Sequence, residues 1–478
     1  MNQLQVFLPC AAGVEDMLAA EVKRITDVDA PHKSRGGVAL HASWRDAMRL
    51  NLHSRLTQRV LVQLWHGGYR SEQDLYHAAS EVAWEIWFTP AQTIKVEITA
   101  QHSPLTSLNF AALKVKDAIC DRFREKRGER PSVNTTWPDV RIYVHLTTDT
   151  VSLYIDTSGE PLFKRGWRED KGDAPLKETL AAAMIAATGW DACADQPLDA
   201  IVPLYDPCCG SGTVVIEAAQ IALNIPPGFL RRFAFEKLLP FQPHVWQPIL
   251  DEAERQQREW PEGHAPIVFG SDVSFRMVDF AQRNAERAGV AHAIELRGGD
   301  ALQRLPPSNK PGVMLLNPPY GERIAAAGVA GQSSEDRASA RAQRMAPREP
   351  RTFTAGKAAP PAVGLGREGS EVSRLGRGDV EVSRLGRGDA EVSRLGRESA
   401  QMADGGDGSD FFNQLAAHWK SHYAGWSAWL LTPDLKLPGK MRFKESRRVP
   451  LWNGPIECRL FRFDLTARKP RPEPDAED

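Results

Sequence analysis

The sequence predicts an α/β protein whose last part is a Rossmann-like, doubly wound domain preceded by two smaller α+β domains. An apolar strand pattern at 200–205 runs into a glycine-rich loop and then a helix pattern. Two later strand patterns each end in an aspartate, and strand and helix patterns alternate over the first 157 residues. At 478 residues the chain is long enough for two to three domains.

Residues 1–58 are predicted to form a ferredoxin-like unit, with strands at 4–8 and 37–40 and helices at 13–25 and 43–56. Residues 59–160 repeat the alternation in a second unit. Its predicted strands lie at 60–65, 93–100, 140–147 and 151–157, and its predicted helices at 71–82 and 108–126.

The long second helix is rich in cations, which include Lys114 and Arg122, and Arg130 and Arg141 follow it. Alone, such a cluster indicates a solvated face. Beside a site that modifies a nucleic-acid base, the same four residues become candidates for contacts with phosphates.

A segment rich in charge and glycine, 163–173, leads to a helix pattern at 174–185. Pro175 lies at the start of this helix, which runs directly towards the strand at 200–205. We therefore expect Pro175 to lie over a bound cofactor.

The glycine-rich loop connects the strand at 200–205 to the next helix, and it contains Asp206, Cys208, Gly210, Gly212 and Thr213. The two glycines allow positive φ and a close backbone approach. An ordinary tight turn is the alternative for a lone G-x-G. Because an aspartate opens the loop and no third glycine follows, the loop resembles the S-adenosylmethionine loop of class I methyltransferases more than a pyrophosphate site.

Asp272 and Asp300 end the next two predicted strands. Each aspartate alone is typical of a turn or a helix cap. Because ligands of open α/β sheets bind at the carboxyl ends of strands, Asp272 is also a candidate for the cofactor ribose and Asp300 for its adenine amine.

Asn317-Pro318-Pro319-Tyr320 follows the apolar run 312–316. The lone pair of an exocyclic base amine is delocalised into the ring, so the amine needs acceptors that draw its protons out of plane. The Asn317 oxygen and a backbone carbonyl can accept, the prolines stiffen the turn, and Tyr320 offers a stacking face. A plain strand-ending turn is the alternative. The pattern predicts Asn317, Pro318 and Tyr320 as the catalytic residues of methyl transfer.

Residues 326–408 have the composition of a disordered insertion that contains a ten-residue repeat. An Arg-rich RNA-binding segment is the alternative. Order is predicted to return at 409–468, with a helix at 411–423 and strands at 426–431, 441–444 and 457–464, before a tail at 469–478. Arg447 and Arg448 are expected near the mouth of the cleft, Arg323 follows the catalytic turn, and all three are further candidates for contacts with RNA.

Composition limits the class of protein. Sixty Lys and Arg against 61 Asp and Glu give a net charge of −1, so any nucleic-acid binding must come from local patches. Six cysteines without paired metal spacing indicate a reduced, cytoplasmic protein with no metal expected. We expect neither a signal peptide nor a membrane span.

Together these motifs resemble the THUMP-domain class I RNA methyltransferases, and among them the bacterial 23S rRNA guanine-N2 methyltransferase half of the bifunctional large-subunit enzymes. The resemblance covers about 1–325 and 409–466. It is carried by the runs 130–134, 138–142, 163–168, 174–181, 206–213, 317–323 and 451–460.

The resemblance implies domains at 1–58 (ferredoxin-like), 59–160 (THUMP, RNA-binding) and 161–325 with 409–468 (methyltransferase). It also implies S-adenosyl-L-methionine as donor, 23S rRNA or a large-subunit precursor as partner, and one of the two fused activities in this chain. Two alternatives remain open: an adenine-N6 methyltransferase acting on RNA or DNA, and a non-catalytic RNA-binding assembly factor.

Overall fold

A computed structural model describes residues 3–26, 28, 32–172, 175–190, 192, 196–318 and 408–466. The insertion predicted at 326–408 and the residues Tyr320 and Arg323 lie outside the described residues, except for the last position of the insertion. Two seven-stranded sheets form the core, one from the first 160 residues and one from the rest.

The first sheet has the strand order β2-β3-β1-β4-β7-β6-β5 and joins both N-terminal units. The two units meet where β1 pairs with β4 through Val6–Val62 and Phe7–Leu61. Its strands are β1 (Leu4–Pro9), β2 (His32–Ser34), β3 (Gly37–Ala42), β4 (Leu61–Gly68), β5 (Ile94–Ala100), β6 (Val140–Leu146) and β7 (Thr150–Asp156).

Four helices cover this sheet: α1 (Glu15–Thr26), α2 (Trp44–His53), α3 (Glu72–Glu81) and α4 (Leu108–Arg127). Ser43 and Asp46 form a capping box at the start of α2, because each side chain accepts the other residue's backbone N–H. Ser71 and Asp74 do the same for α3. These local signals explain why the sequence predicted the helices within a few residues.

The second sheet has the order β10-β9-β8-β11-β12-β14-β13. Every pairing from β10 to β12 is parallel, and β14 runs antiparallel to β12 and β13. Its strands are β8 (Leu204–Asp206), β9 (Val268–Asp272), β10 (Ile294–Gly298), β11 (Val313–Leu316), β12 (Ser427–Thr432), β13 (Arg447–Asn453) and β14 (Ile456–Asp464).

The helices of this part are α5 (Glu178–Thr188), α6 (Thr213–Ala222), α7 (Pro243–Arg255), α8 (Phe275–Arg287), α9 (Gly408–His422) and α10 (Leu437–Lys440). The sequence analysis did not predict α7. Helix α5 begins at Glu178, later than the predicted start at 174, because Lys177 still has extended backbone angles. Pro175 therefore lies in the loop before the helix.

The strand predicted at 441–444 is wrong. Residues 441–446 form a turn and irregular chain after α10, and the strand is β13, which begins at Arg447. Strand β13 is the edge strand, three strands or roughly 14 Å from β11. Arg447 and Arg448, which the sequence analysis expected near the mouth of the cleft, lie at the start of this edge strand, and their role in RNA binding stays a prediction.

Among the described residues, no helix is long and apolar enough to cross a membrane, including the 20-residue α4.

Candidate donor and acceptor site

The parallel strands β8, β9, β10 and β11 end at one edge of the second sheet. Asp206 and Asp272 are the last residues of β8 and β9, and Asp300 and Asn317 follow β10 and β11. The sequence prediction that these four residues converge on one edge agrees with the topology. A cavity of about 290 Å³ opens there. Its lining contains Pro175, Asp206, Cys208, Gly210, Thr213 and Asn317, all of which the sequence singled out.

The three aspartates share one local geometry. In each, Oδ1 accepts the backbone N–H of the residue two positions later: Cys208 for Asp206, Ser274 for Asp272 and Leu302 for Asp300, all at 2.9 Å. Each of the three aspartates therefore forms a turn, as the sequence analysis gave as one of the two alternatives. It is compatible with ligand binding, because a carboxylate has further lone pairs and the turn fixes its direction.

Asp272 also ties the second strand end to the glycine loop, because its Oδ2 accepts the N–H of Gly210 at 3.0 Å. Burial raises the pKa of this carboxyl, although the hydrogen bonds from Ser274 and Gly210 act in the opposite direction. The same group that could accept ribose hydroxyls thus already shapes the loop beside them.

The backbone of the glycine loop needs its glycines. Gly210 has φ +53° and Gly212 has φ +91°, angles that side chains disfavour. A Cβ at Gly212 would lie 3.0 Å from the Cβ of Ala281, whereas a Cβ at Gly210 would point into open space. Gly210 therefore leaves room for a ligand, and Gly212 allows α6 to pack closely against α8.

Asp206 is buried, with 2 % of its surface exposed. Burial, with a smaller contribution from the charge of Asp272, raises its pKa to about 8. A cation brought against this carboxyl would favour its ionised form. The buried acid beside the open space at Gly210 suits the cationic amino end of an amino-acid-bearing cofactor.

Cys208 lines the cavity, but burial raises the pKa of its thiol well above the ordinary value. A nucleophilic cysteine must be a thiolate, and the raised pKa keeps this thiol protonated. We therefore interpret Cys208 as a small residue that fits the loop.

Asn317 and Pro318 directly follow β11, which lies between β8 and β12. Asn317 is partly exposed and reaches the cavity, whereas Pro318 is buried. Asn317, which the sequence analysis predicted to contact the base that receives the methyl group, thus lines the same cavity as the glycine loop.

Sequence reasoning missed a segment that reaches the loop from outside the second sheet. The Arg168 guanidinium donates to the Oγ of Ser211 at 2.8 Å, the Oγ1 of Thr213 at 2.6 Å and the Oε1 of Glu178 at 2.7 Å. It also lies over the Trp167 ring. The charged linker pattern was visible in the sequence, but the loop partners of Arg168, Ser211 and Thr213, lie 43 and 45 residues away in the chain.

A second arginine fixes the helix that follows the loop. Arg165 is 1 % exposed and its Nε donates to Glu217 on α6 at 2.9 Å; Arg55 of the first unit donates to the same carboxylate at 3.3 Å. Helix α6 is therefore held by both the linker and the N-terminal unit.

The RNA-contact candidates differ in their surroundings. Arg122 donates to both oxygens of Glu85 and to the Ser80 carbonyl, and Arg141 is paired with Glu97; both side chains are mostly buried. Lys114 is partly exposed, with its Nζ over the Phe110 ring, and Arg130 is half-exposed, 3.4 Å from Asp121. Arg122 and Arg141 are thus already engaged within the protein, whereas Lys114 and Arg130 stay predictions.

No group of three or more His, Cys, Asp or Glu side chains is arranged to hold a metal ion in the part of the chain that the structure describes.

Comparison with known proteins agrees with this arrangement. Residues 5–61 match the RlmL ferredoxin-like domain, 69–156 the THUMP domain, and 165–348 the RMKL-like methyltransferase domain. The ribosomal RNA large subunit methyltransferase K/L of Psychromonas ingrahamii is 31% identical over 98% of this chain and 51% of its own length. That of Shewanella pealeana is 38% identical over 67% of this chain and 44% of its own length. The chain thus spans about half the length of the curated relatives it matches.

Solved structures share the fold. A possible methylase from Clostridium difficile 630 has a TM-score of 0.70 at 23% identity, covering 98% of this chain and 100% of its own. SMU.472, solved in complex with SAH, gives the same values. A predicted N6-adenine-specific DNA methylase from Listeria monocytogenes has a TM-score of 0.68 at 24% identity over 96% of both chains. The chain belongs to the THUMP-containing class I methyltransferases, the family that includes the ribosomal RNA large subunit methyltransferases K/L.

Proposed function

We propose that this protein transfers a methyl group from S-adenosyl-L-methionine to the exocyclic N2 amine of a guanine in 23S rRNA or a large-subunit precursor. The observation that carries the proposal is the position of Asn317, which lines the same cavity as Asp206 and Gly210. S-adenosylmethionine is the donor used by this methyltransferase family, so the cofactor predicted from the sequence is confirmed. The guanine N2 atom, the RNA and the site residues are our proposals.

The donor fits the residues at the strand ends. Asp272 would accept from the ribose hydroxyls, Asp300 from the adenine amine and Asp206 from the cationic amino end. The start of α6 has no side-chain cap, so its backbone N–H groups would favour the carboxylate of the same amino acid. When bound, the donor supplies an electrophilic methyl group. The protein's task is to orient the donor and exclude water.

Asn317 would accept one N–H of the target amine and turn its lone pair towards the methyl group. The N–C bond forms as the S–C bond breaks, and the methylated nitrogen carries a positive charge. Such a nitrogen is strongly acidic, so its proton passes to solvent without a strong general base. Catalysis then rests mainly on positioning.

Nucleoside analysis tests the proposal. The protein is incubated with labelled donor and undermethylated ribosomal RNA, the RNA is digested, and the modified nucleoside is identified by mass spectrometry. N2-methylguanosine is expected. Detection of N6-methyladenosine instead would identify adenine as the target base, to which an Asn-Pro-Pro-Tyr turn is equally suited. Absence of any methylated nucleoside, with donor binding intact, would support the non-catalytic alternative.

A further inference from the structure

A second and larger cavity, of about 770 Å³, lies between the THUMP unit and the methyltransferase domain. Its lining comes from three remote segments: 137–141, 158–178 and 230–237. We call it the interdomain groove. It shares Pro175 and Leu176 with the donor cavity, so the two cavities meet at these residues.

The charge of the groove differs from that of the whole chain. Nine Lys and Arg but four Asp and Glu line it, although the chain has a net charge of −1. The rim cations Lys164, Arg232 and Lys237 have 51, 93 and 56 % of their side-chain surface exposed, and each is paired with one nearby acid. Exposed pairs of this kind are weak, so phosphates can compete for these cations.

Aromatic rings lie among the cations. Trp137 is 69 % exposed, and its loop is held in place because Asn134 Oδ1 accepts the N–H groups of Thr136 at 3.1 Å and Trp137 at 3.0 Å. Phe163 lies beneath the Nζ of Lys177, 5.2 Å from the ring centroid. An exposed indole on a hydrogen-bonded loop, in a groove that also holds cations, is an arrangement with which proteins bind single-stranded nucleic acid by stacking bases and pairing phosphates.

We propose that the interdomain groove binds a single-stranded RNA segment, that Trp137 stacks on one of its bases, and that the segment leads past Pro175 and Leu176 to Asn317. This inference rests on the proposed function and specifies the form of its RNA substrate. Of the four cations predicted from the sequence to contact phosphates, Arg141 lines the groove, although it is paired with Glu97. None of the described lining residues belongs to α4, so the groove is a different surface from the cationic face of that helix.

The two surfaces can be compared with matched variants. Trp137→Ala with Arg232→Ala removes an aromatic and a cation from the groove. Phe110→Ala with Lys114→Ala removes an aromatic–cation pair from α4, where Phe110 is 49 % exposed. Lys33→Ala, in an exposed pair with Asp16, controls for the loss of surface charge.

The measurement is the Kd of a fluorescent single-stranded RNA oligonucleotide, by anisotropy at fixed salt, with the melting temperature of each variant. The groove variant should bind about tenfold or more weakly, within the range expected for one lost base stack. Trp137→Phe alone should restore most of the Trp137→Ala loss, because a ring face remains. Calorimetry with S-adenosylhomocysteine should show unchanged donor-site affinity.

Wild-type RNA affinity in the folded groove variant would overturn the inference, as would a loss confined to the α4 variant. Duplex RNA bound as tightly as the single strand, with no effect of Trp137→Ala, would also overturn it. Failure of the proposed function is separately visible, because a protein that methylates no ribosomal RNA can still bind the oligonucleotide through Trp137.

Discussion

The donor cavity and the interdomain groove adjoin at Pro175 and Leu176, yet they are built in opposite ways. The donor cavity lies beside the buried Asp206 and the partly buried Asp272, which hydrogen bonds to nearby backbone groups hold in place. The groove has exposed cations at its rim and an exposed indole, and its lining comes from three separate segments. One surface suits a cationic small molecule held precisely, and the other suits a polyanion held by several weak contacts. A methyltransferase acting on RNA needs both surfaces next to each other.

The carboxylates beside the donor cavity can be tested first at Asp272, which accepts the N–H of the lining residue Gly210. We expect Asp272→Ala to weaken the binding of S-adenosylhomocysteine by about 10²-fold or more. Two hydrogen bonds to a charged acceptor are worth roughly 1.5–3 kcal/mol each, and the Gly210 N–H would also lose its acceptor. Calorimetry measures the affinity. Asp279→Ala, which removes an exposed carboxylate of α8, is the control. Unchanged affinity in a folded Asp272→Ala protein would remove this residue from the donor site.

Asn317 is proposed to orient the amine that the RNA supplies towards the methyl group that the donor supplies. Asn317→Ala should lower the single-turnover rate of methyl transfer by on the order of 10²-fold, because the amine loses its orientation. Donor affinity should stay near that of the wild type. Rates are measured at saturating donor and RNA, so weaker RNA binding cannot imitate the effect. A wild-type rate would show that the turn at 317–320 is only structural.

The strand ends around the donor cavity could be predicted from the sequence because their signals are local. Asp206 to Thr213 are consecutive residues from the end of β8 to the start of α6, and the aspartates at 272 and 300 make turns with residues two positions later. The groove could not be predicted, because Trp137, Phe163 and Arg232 are brought together by the packing of separate units.

Strand β13 was missed for a different reason. Arg447, Arg448 and Pro450 interrupt the apolar alternation that normally indicates a strand, and an edge strand tolerates such residues. Gly454 and Pro455, which form the two-residue hairpin turn to β14 with Gly454 at φ +63°, were the signal that could have located it.

The pKa of Asp206 gives the donor cavity a predicted pH dependence. Because this pKa is raised to about 8, most of the donor-free protein carries a neutral Asp206 at pH 7. Binding a cation there must release the proton, so donor affinity should rise about tenfold per pH unit towards pH 8 and then level off. The stability of the donor-free protein changes with pH in the opposite direction. Burial favours neutral Asp206 in the folded state, and this contribution to stability is lost as pH rises through 8.

Calorimetry with S-adenosylhomocysteine between pH 6 and 8, in buffers of different ionisation enthalpy, measures both the affinity and the released proton. Asp206→Asn should bind more weakly at pH 8 and lose the slope. A wild-type affinity that is flat over this range would exclude Asp206 as the partner of the donor's amino group.

Arg168 connects the two surfaces, because it lines the groove while its guanidinium donates to Ser211 and Thr213 of the donor loop. We expect Arg168→Ala to weaken donor binding by about tenfold through a less ordered loop, with Arg168→Lys intermediate, since an ammonium cannot reproduce the planar set of donors.

If the groove and donor loop are coupled, an RNA oligonucleotide should raise the wild-type affinity for S-adenosylhomocysteine, and the donor should raise RNA affinity by the same factor. Arg168→Ala should abolish this reciprocal effect. Arg232→Ala, at the exposed rim, should weaken RNA binding but leave the reciprocal effect intact. Coupling that persists in Arg168→Ala would show that the two cavities communicate through another contact, such as the pairing of Arg165 with Glu217.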